Sequence, residues 1–174
     1  MAKSSLLQII KLKGNETIIL PKSKIFDMPD SSYRGLMIDL SRMWHSLESI
    51  RNVIDLASFY KIKYLQLHLS DDQAFAFPTD SFPNLPTPDR PYTKKDFVGL
   101  VEYAKIRGVT IVPEIDVPGH SRQFIETYPK IFDVNNGIKK SNVINIASEK
   151  VYKALDQIIA EVAEVFYNSP FIHM

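Results

Sequence analysis

The sequence predicts an α/β fold built on a parallel sheet. Two observations carry that reading. From residue 36 onward, short apolar runs alternate with longer segments whose apolar residues recur at helical spacing. The pattern is βαβαβαβ, and apolar strands buried on both faces and joined by amphipathic helices form parallel sheets with right-handed crossovers. Two closures fit it, an open doubly wound sheet and a (β/α)₈ barrel. A third observation weighs between them. The stretch after the first strand, "DLSRMWHS", contains no glycine, so it lacks the phosphate turn of a dinucleotide-binding sheet. A complete barrel takes ~250 residues, so 174 residues amount to part of one.

The elements follow in order. Residues 1–33 stand outside the alternation. "SLLQIIKLKGNETIILPKSKIFDMPD" reads as a helix end, a turn and a strand, the tail of a preceding α/β domain and a linker. "LMIDL" (Leu36 to Leu40) is the first strand of the repeating unit. Ser46 caps a helix whose apolar face is Leu47, Ile50, Ile54 and Ala57. "YLQLHL" (Tyr64 to Leu69) is the second strand. The loop "SDDQAFAFPTDSFPNLPTPDRPY" carries five of the eleven prolines and excludes regular structure. Thr93 and Asp96 then open a helix in capping-box fashion, Phe97, Leu100, Val101 and Ala104 form its apolar face, and Gly108 stops it. "VTIVPEI" is the third strand, and Pro113 within it predicts a bulge. A third helix runs from about Glu149 to Tyr167, capped by Ser148, with Val151, Leu155, Ile158, Ile159 and Val162 inward. "FIHM" begins a fourth strand.

Composition narrows the functional classes. Apolar residues make up 45% and aromatics 11%, enough for a packed core. Twenty-one basic and 20 acidic side chains leave a net charge of +1, which offers no electrostatic footprint for nucleic acid or an anionic membrane. With no cysteine there are neither disulfides nor thiolate metal sites. No apolar run nears the ~20 residues that span a bilayer, and no cleavage signature follows the N-terminal apolar stretch, so a cytoplasmic location is favoured.

Polar residues collect where strands end. Asp39, Ser41 and Arg42 follow the first strand, Asp71 and Asp72 the second, and Glu114, Asp116 and His120 the third. Barrel enzymes build their active sites at this face from several strands. Each residue alone has a plainer use: an Asp past a strand often caps or turns the chain, Arg42 alone would be a surface ion-pair residue, Pro118-Gly119 is a turn, and His68 and His173 fit satisfied structural positions. The coincidence across three strands raises the group above those uses. Asp71, Asp116 and His120 are chemically able to bind a divalent ion, but their spacing matches no metal motif, and neither metal nor cofactor is expected.

The motifs "YRGLMIDLSR", "LQLHLSDDQAF", "YTKKDFVGLVEYAKIRGVTIVPEIDVPGHS" and "FIHM" resemble those of the family 20 glycoside hydrolases, the β-N-acetylhexosaminidases, from about Tyr33 to the last residue. "HLSDDQ" and "PEIDVPGHS" are long and specific. The resemblance implies a (β/α)₈ barrel, of which residues 34–174 would be the first half: about three βα units and the fourth strand. It implies hydrolysis of terminal β-linked N-acetylglucosamine or N-acetylgalactosamine from a glycan or glycoconjugate, with retention and without metal. The reaction is substrate-assisted, an exception to the two-carboxylate scheme: the sugar's acetamido oxygen attacks the anomeric carbon while one Asp orients it and the adjacent Glu serves as general acid.

By motif position, Arg42 matches the arginine that grips the sugar hydroxyls, Asp71 the carboxylate beside them, and Asp116 and His120 the supporting aspartate and histidine near the catalytic acid. Met43 after the arginine and Ala74-Phe75 after "DDQ" depart from the usual pattern. In the family the fourth strand runs into Gly-Gly-Asp-Glu, which supplies the orienting Asp and the acid, and the sequence reaches Met174 before them. The expectation is therefore a partial catalytic domain, inactive alone. The alternative is a non-catalytic half-barrel that pairs with a second copy or a separate C-terminal half.

Overall fold

The computed structural model describes residues 2–13, 17–134 and 141–174. Its centre is a parallel sheet of three strands, β3 (Gly35–Asp39), β4 (Tyr64–His68) and β5 (Thr110–Glu114), in the spatial order β3-β4-β5. The registers are in step: Asp39 lies beside His68 and His68 beside Glu114. Chain order equals spatial order, as successive βαβ crossovers of one hand require. This is the beginning of an α/β barrel. The expected fourth strand is present only as a bridge. The His173 amide donates to the Pro113 carbonyl (2.9 Å), and the Ile115 amide donates to the His173 carbonyl (3.1 Å).

Helices α2 (Leu47–Phe59), α3 (Lys94–Lys105) and α6 (Glu149–Val165) cover the outer face. Each buries the stripe its apolar spacing dictates: Ile50, Ile54 and Ala57; Phe97, Leu100, Val101 and Ala104; Val151, Leu155, Ile158 and Val162. They close over Leu65, Leu67 and Leu69 of the central strand and its continuation, all fully buried. Burial of each such side chain contributes roughly 1.5–3 kcal/mol. Ser46 caps α2 through the Ser49 amide, and Thr93 and Asp96 exchange both bonds of a capping box. Gly108, at φ 72°, makes the turn out of α3 in a conformation glycine alone adopts without strain.

The structure corrects three expectations and adds two helices. The N-terminal segment holds helix α1 (Ala2–Ile9), as expected, but then an antiparallel pair of β1 (Lys11–Lys13) with β2 (Thr17–Ile19) rather than one strand; the turn between them lies outside the described residues. Bonds from Ser4 to the Ser58 carbonyl and from Gln8 to the Phe59 carbonyl seat α1 on the end of α2. Pro113 makes no bulge. Its register with Leu67 is unbroken, because its hydrogen-bonding side faces the start of the fourth strand, where one donor is not needed. Two short helices, α4 (Arg122–Thr127) and α5 (Pro129–Phe132), follow β5 in a stretch to which the sequence pattern assigned no element. Helix α6 ends at Val165, and Ser148 makes no side-chain cap bond.

The proline-rich loop after β4 is irregular, as its sequence requires, but it is also core. Phe75, Ala76, Phe77 and Leu85 are buried within it, and Phe77 packs against Phe97 and Phe166. Glu161 of α6 holds the loop's backbone: its carboxylate accepts from the Asp80 amide (2.7 Å), the Ser81 amide (2.9 Å) and the Thr79 hydroxyl (3.0 Å). Among the described residues, no helix is long and apolar enough to cross a membrane.

Candidate active site

Side chains alternate along a strand, so register partners in a parallel sheet face the same way. Leu65 and Leu67 point out to the helices; Tyr64, Gln66 and His68 therefore point to the opposite, inner face. Three layers follow on that face: Gly35, Tyr64 and Thr110; then Met37, Gln66 and Val112; then, at the C-terminal rim, Asp39, His68 and Glu114. The rim layer is wholly polar, and the loops leaving the strands add Arg42, Asp71, Asp116 and His120.

Asp71 is the hub. Its side chain is 1% exposed. One oxygen, Oδ2, meets the Arg42 guanidinium and His68 Nε2, the latter at 2.9 Å. The other, Oδ1, accepts the Asp72 amide (2.6 Å) and faces His120 Nδ1 at 3.3 Å. Arg42 is aimed by Asp39, whose Oδ1 accepts the Ser41 and Arg42 amides while Oδ2 takes the Arg42 guanidinium at 2.6 Å. The Asp39 bond, followed by the charges of Asp71 and Asp116, raises the Arg42 pKa above its ordinary value against some burial. Burial opposes ionisation of Asp39, yet its bonds from Arg42 and the nearby His68 hold its pKa below the usual carboxylate range. Arg90 fixes the turn beneath by donating to the Leu40 and Ser41 carbonyls.

The loop after β5 brings the remaining expected residues to the same rim. The Asp116 amide donates to Ser70 Oγ at 2.8 Å, which ties this loop to the one after β4. His120 sits at φ 48° after a cis Val117–Pro118 peptide, and its ring is half exposed. All four expected site residues, Arg42, Asp71, Asp116 and His120, thus lie at one mouth. Asp72 lies beside Asp71 and His120, but its side chain is otherwise engaged. Its carboxylate accepts the Arg122 amide at the start of α4 and the Asn142 side chain, a structural cap. The inference from sequence missed Glu114, His68 and His173 as one connected group. Glu114, 7% exposed, receives Gln66 Nε2 at 2.8 Å, His68 Nδ1 at 3.1 Å and His173 Nδ1 at 3.2 Å. The signal was present in "YLQLHL", where polar Gln66 and His68 fall at period two on the inner face.

His68, Asp71 and Asp116 offer atoms within 4.8 Å of one another, as do Asp71, Asp72 and His120. A guanidinium already neutralises Asp71 in both sets, so this is the chemistry of an ion-paired network rather than of a cation site. What it offers is a planar row of N–H donors from Arg42 at the rim, with carboxylate acceptors beside it. That combination suits a polyhydroxylated ligand.

The model of the glycosyl hydrolase family 20 catalytic domain matches residues 31–174. A β-hexosaminidase of Vibrio furnissii is 31% identical over 99% of this chain, and the β subunit of Homo sapiens β-hexosaminidase is 30% identical over 96%. The chain spans about a third of the length of each. The crystal structure of a family 20 exo-β-N-acetylglucosaminidase from Vibrio harveyi with N-acetylglucosamine superposes with a TM-score of 0.82 at 28% identity, over 99% of this chain and 32% of that one. A β-N-acetylhexosaminidase from Bacteroides fragilis gives 0.87 at 27% identity, over 99% and 37%. With its barrel strands, its rim of ion-paired residues and a domain match over most of its length, the chain belongs to glycosyl hydrolase family 20.

Proposed function

We propose that this chain supplies the sugar-gripping part of a β-N-acetylhexosaminidase active site. The substrate is a glycan or glycoconjugate ending in β-linked N-acetylglucosamine or N-acetylgalactosamine, and the reaction is retaining and substrate-assisted. The observation that carries the reading is the Asp39–Arg42–Asp71 arrangement at the strand ends, a guanidinium locked between two carboxylates. Locked in this way, Arg42 loses little side-chain freedom when it donates to sugar hydroxyls. Asp71, buried beside the guanidinium, belongs to the polar network next to those hydroxyls and holds Arg42 in place. Asp116 and His120 support the chemistry from the loop after β5; the contact of His120 with Asp71 supports a role for it in sharing a proton with a general acid. The dipeptide Asp-Glu, which would provide the acetamido-orienting residue and the acid, does not occur in the sequence. Binding without turnover is therefore the expected behaviour of these 174 residues.

Two assays on the purified chain test this. N-acetylglucosamine titrated into the labelled protein should perturb the Arg42 guanidinium signal, and Arg42→Ala should weaken that binding at least about tenfold, the loss of one strong charged hydrogen-bonding group. Binding unaffected by Arg42→Ala overturns the assignment. A chromogenic N-acetylglucosaminide should not be cleaved; measurable turnover would contradict the division of roles.

A second reading, a pairing module, is favoured by one observation. Among the described residues no strand adds to the free edge of β3, and Met37 on its inner face is 52% exposed.

A further inference from the structure

A buried line of three side chains, Glu114–His68–Asp71, runs beneath the rim. His68 is 4% exposed, and both of its ring nitrogens face carboxylate oxygens, Nε2 to Asp71 at 2.9 Å and Nδ1 to Glu114 at 3.1 Å. A neutral imidazole has one N–H and one lone pair. In this cage the lone pair would point at a carboxylate oxygen, whichever tautomer formed. Between two ionised carboxylates, only the imidazolium satisfies both contacts. We propose that His68 is a positioning residue, a buried imidazolium clamped between Asp71 and Glu114, which fixes the carboxylate that Arg42 and His120 share and ties it to the fourth strand.

The surrounding charges fit this role. Asp39 comes from β3, Glu114 from β5, Asp71 and Asp116 from the loops, Arg42 from the turn after β3, and His120 and His173 lie one carboxylate away. Without His68, Asp71 and Glu114 would be two buried anions facing one another across the inner sheet, an arrangement strongly disfavoured unless one is protonated. With it, the two carboxylates are bridged and each is held in its direction. Burial works against the ring's charge, but the Asp71 bond and the Glu114 charge outweigh it and raise the His68 pKa above its ordinary 6.5. Glu114 passes the constraint onward: Oε2 holds His68 and Gln66, while Oε1 holds His173, whose backbone pairs with β5 on both sides. Buried as it is, His68 acts on the mouth through Asp71, whose Oδ1 also accepts the Asp72 amide.

That amide, and the Arg42 guanidinium, whose Nη2 meets Asp71 and whose Nε–H signal senses it through the shared π system, report on Asp71 without any ligand. The test is a pH titration of the ¹⁵N-labelled chain by NMR. At pH 7 both ring nitrogens of His68 should be protonated, and the Asp72 amide and Arg42 Nε–H signals should move with the same midpoint as the ring. Glu114→Gln, nearly isosteric, should lower that midpoint by roughly one unit or more. A neutral His68 at pH 7, a midpoint unmoved by Glu114→Gln, or reporter signals that ignore the ring would each overturn the proposal. If Glu114→Gln fails to fold, the ring's protonation state and the reporters in the unaltered chain decide it alone. The clamp does not rest on sugar recognition: its failure leaves the Arg42→Ala binding result standing, and the converse holds too.

Discussion

Glu161 shows how one side chain holds a long irregular segment in place. It accepts three bonds from residues 79–81 and pairs with Lys94 at 2.7 Å, with its own side chain 13% exposed. Burial opposes its charge, but the Lys94 ammonium and the donors of Ser81 and Asp80 outweigh it and lower its pKa from 4.5 to about 2. A carboxylate with a depressed native pKa stabilises the fold above its unfolded value and loses that contribution as pH falls toward the native one. Glu161→Gln should therefore cost about 1.5–3 kcal/mol at pH 7, the range for hydrogen bonds to a charged group. In thermal melts the gap between the two proteins should narrow as pH drops from 4.5 toward 2. A gap independent of pH would mean that the charge contributes nothing. At this same scale the sequence was informative about some roles and silent about others. That Arg42, Asp71, Asp116 and His120 gather at one rim was legible because each follows a strand end; their roles came only from the family resemblance. Glu114, His68 and His173 were not legible as a unit, because their meeting depends on strand register, which a single strand's sequence does not encode.

Among the elements, α3 is the best specified by local sequence. Thr93 Oγ1 accepts the Asp96 amide while the Asp96 carboxylate accepts the Thr93 amide at 2.9 Å, so two of the helix's free donors are satisfied reciprocally. Thr93→Ala should cost about 1 kcal/mol, read as a lower denaturation midpoint with unchanged slope; an unchanged midpoint would show that packing against α2 alone holds the helix. Because α3 delivers the chain to β5, this cap also secures the entry to the strand that carries Glu114. All three crossover helices were legible from their 3.6-residue apolar stripes, although only α3 carried a clear stop signal. The proline-rich loop was legible only as irregular. Its aromatic residues fill the space between the sheet and α6, and no periodicity announces that. The β1–β2 pair and helices α4 and α5 are too short for their patterns to stand out from a loop.

The whole molecule has one closed side and one open side. Helices seal the outer face of the sheet over fully buried leucines, whereas the inner face ends in an aromatic cluster with little cover. Tyr33 stacks on Tyr64 with ring centroids 4.8 Å apart, and Phe171 meets Tyr64 edge-on at 5.6 Å. Gly35 permits this, since a Cβ there would approach the Tyr33 ring to 3.0 Å. The cluster buries Tyr64 but leaves Tyr33 54%, Met37 52% and Phe171 48% exposed, beside a β3 edge that no described strand covers. Contiguous apolar surface next to unpaired strand donors favours association. The isolated chain should therefore self-associate with rising concentration, seen as a growing mass by light scattering during size-exclusion chromatography. Met37→Lys with Phe171→Lys places two like charges on the inner face and should shift the chain to monomer. Neither site touches Arg42 or Asp71, so sugar binding should survive in the double variant. A wild-type chain that stays monomeric throughout would show that this face is adequately solvated. Association that persists in the double variant would move the contact to the β3 edge or to β2, where the exposed Ile18 and Ile19 are the next apolar candidates.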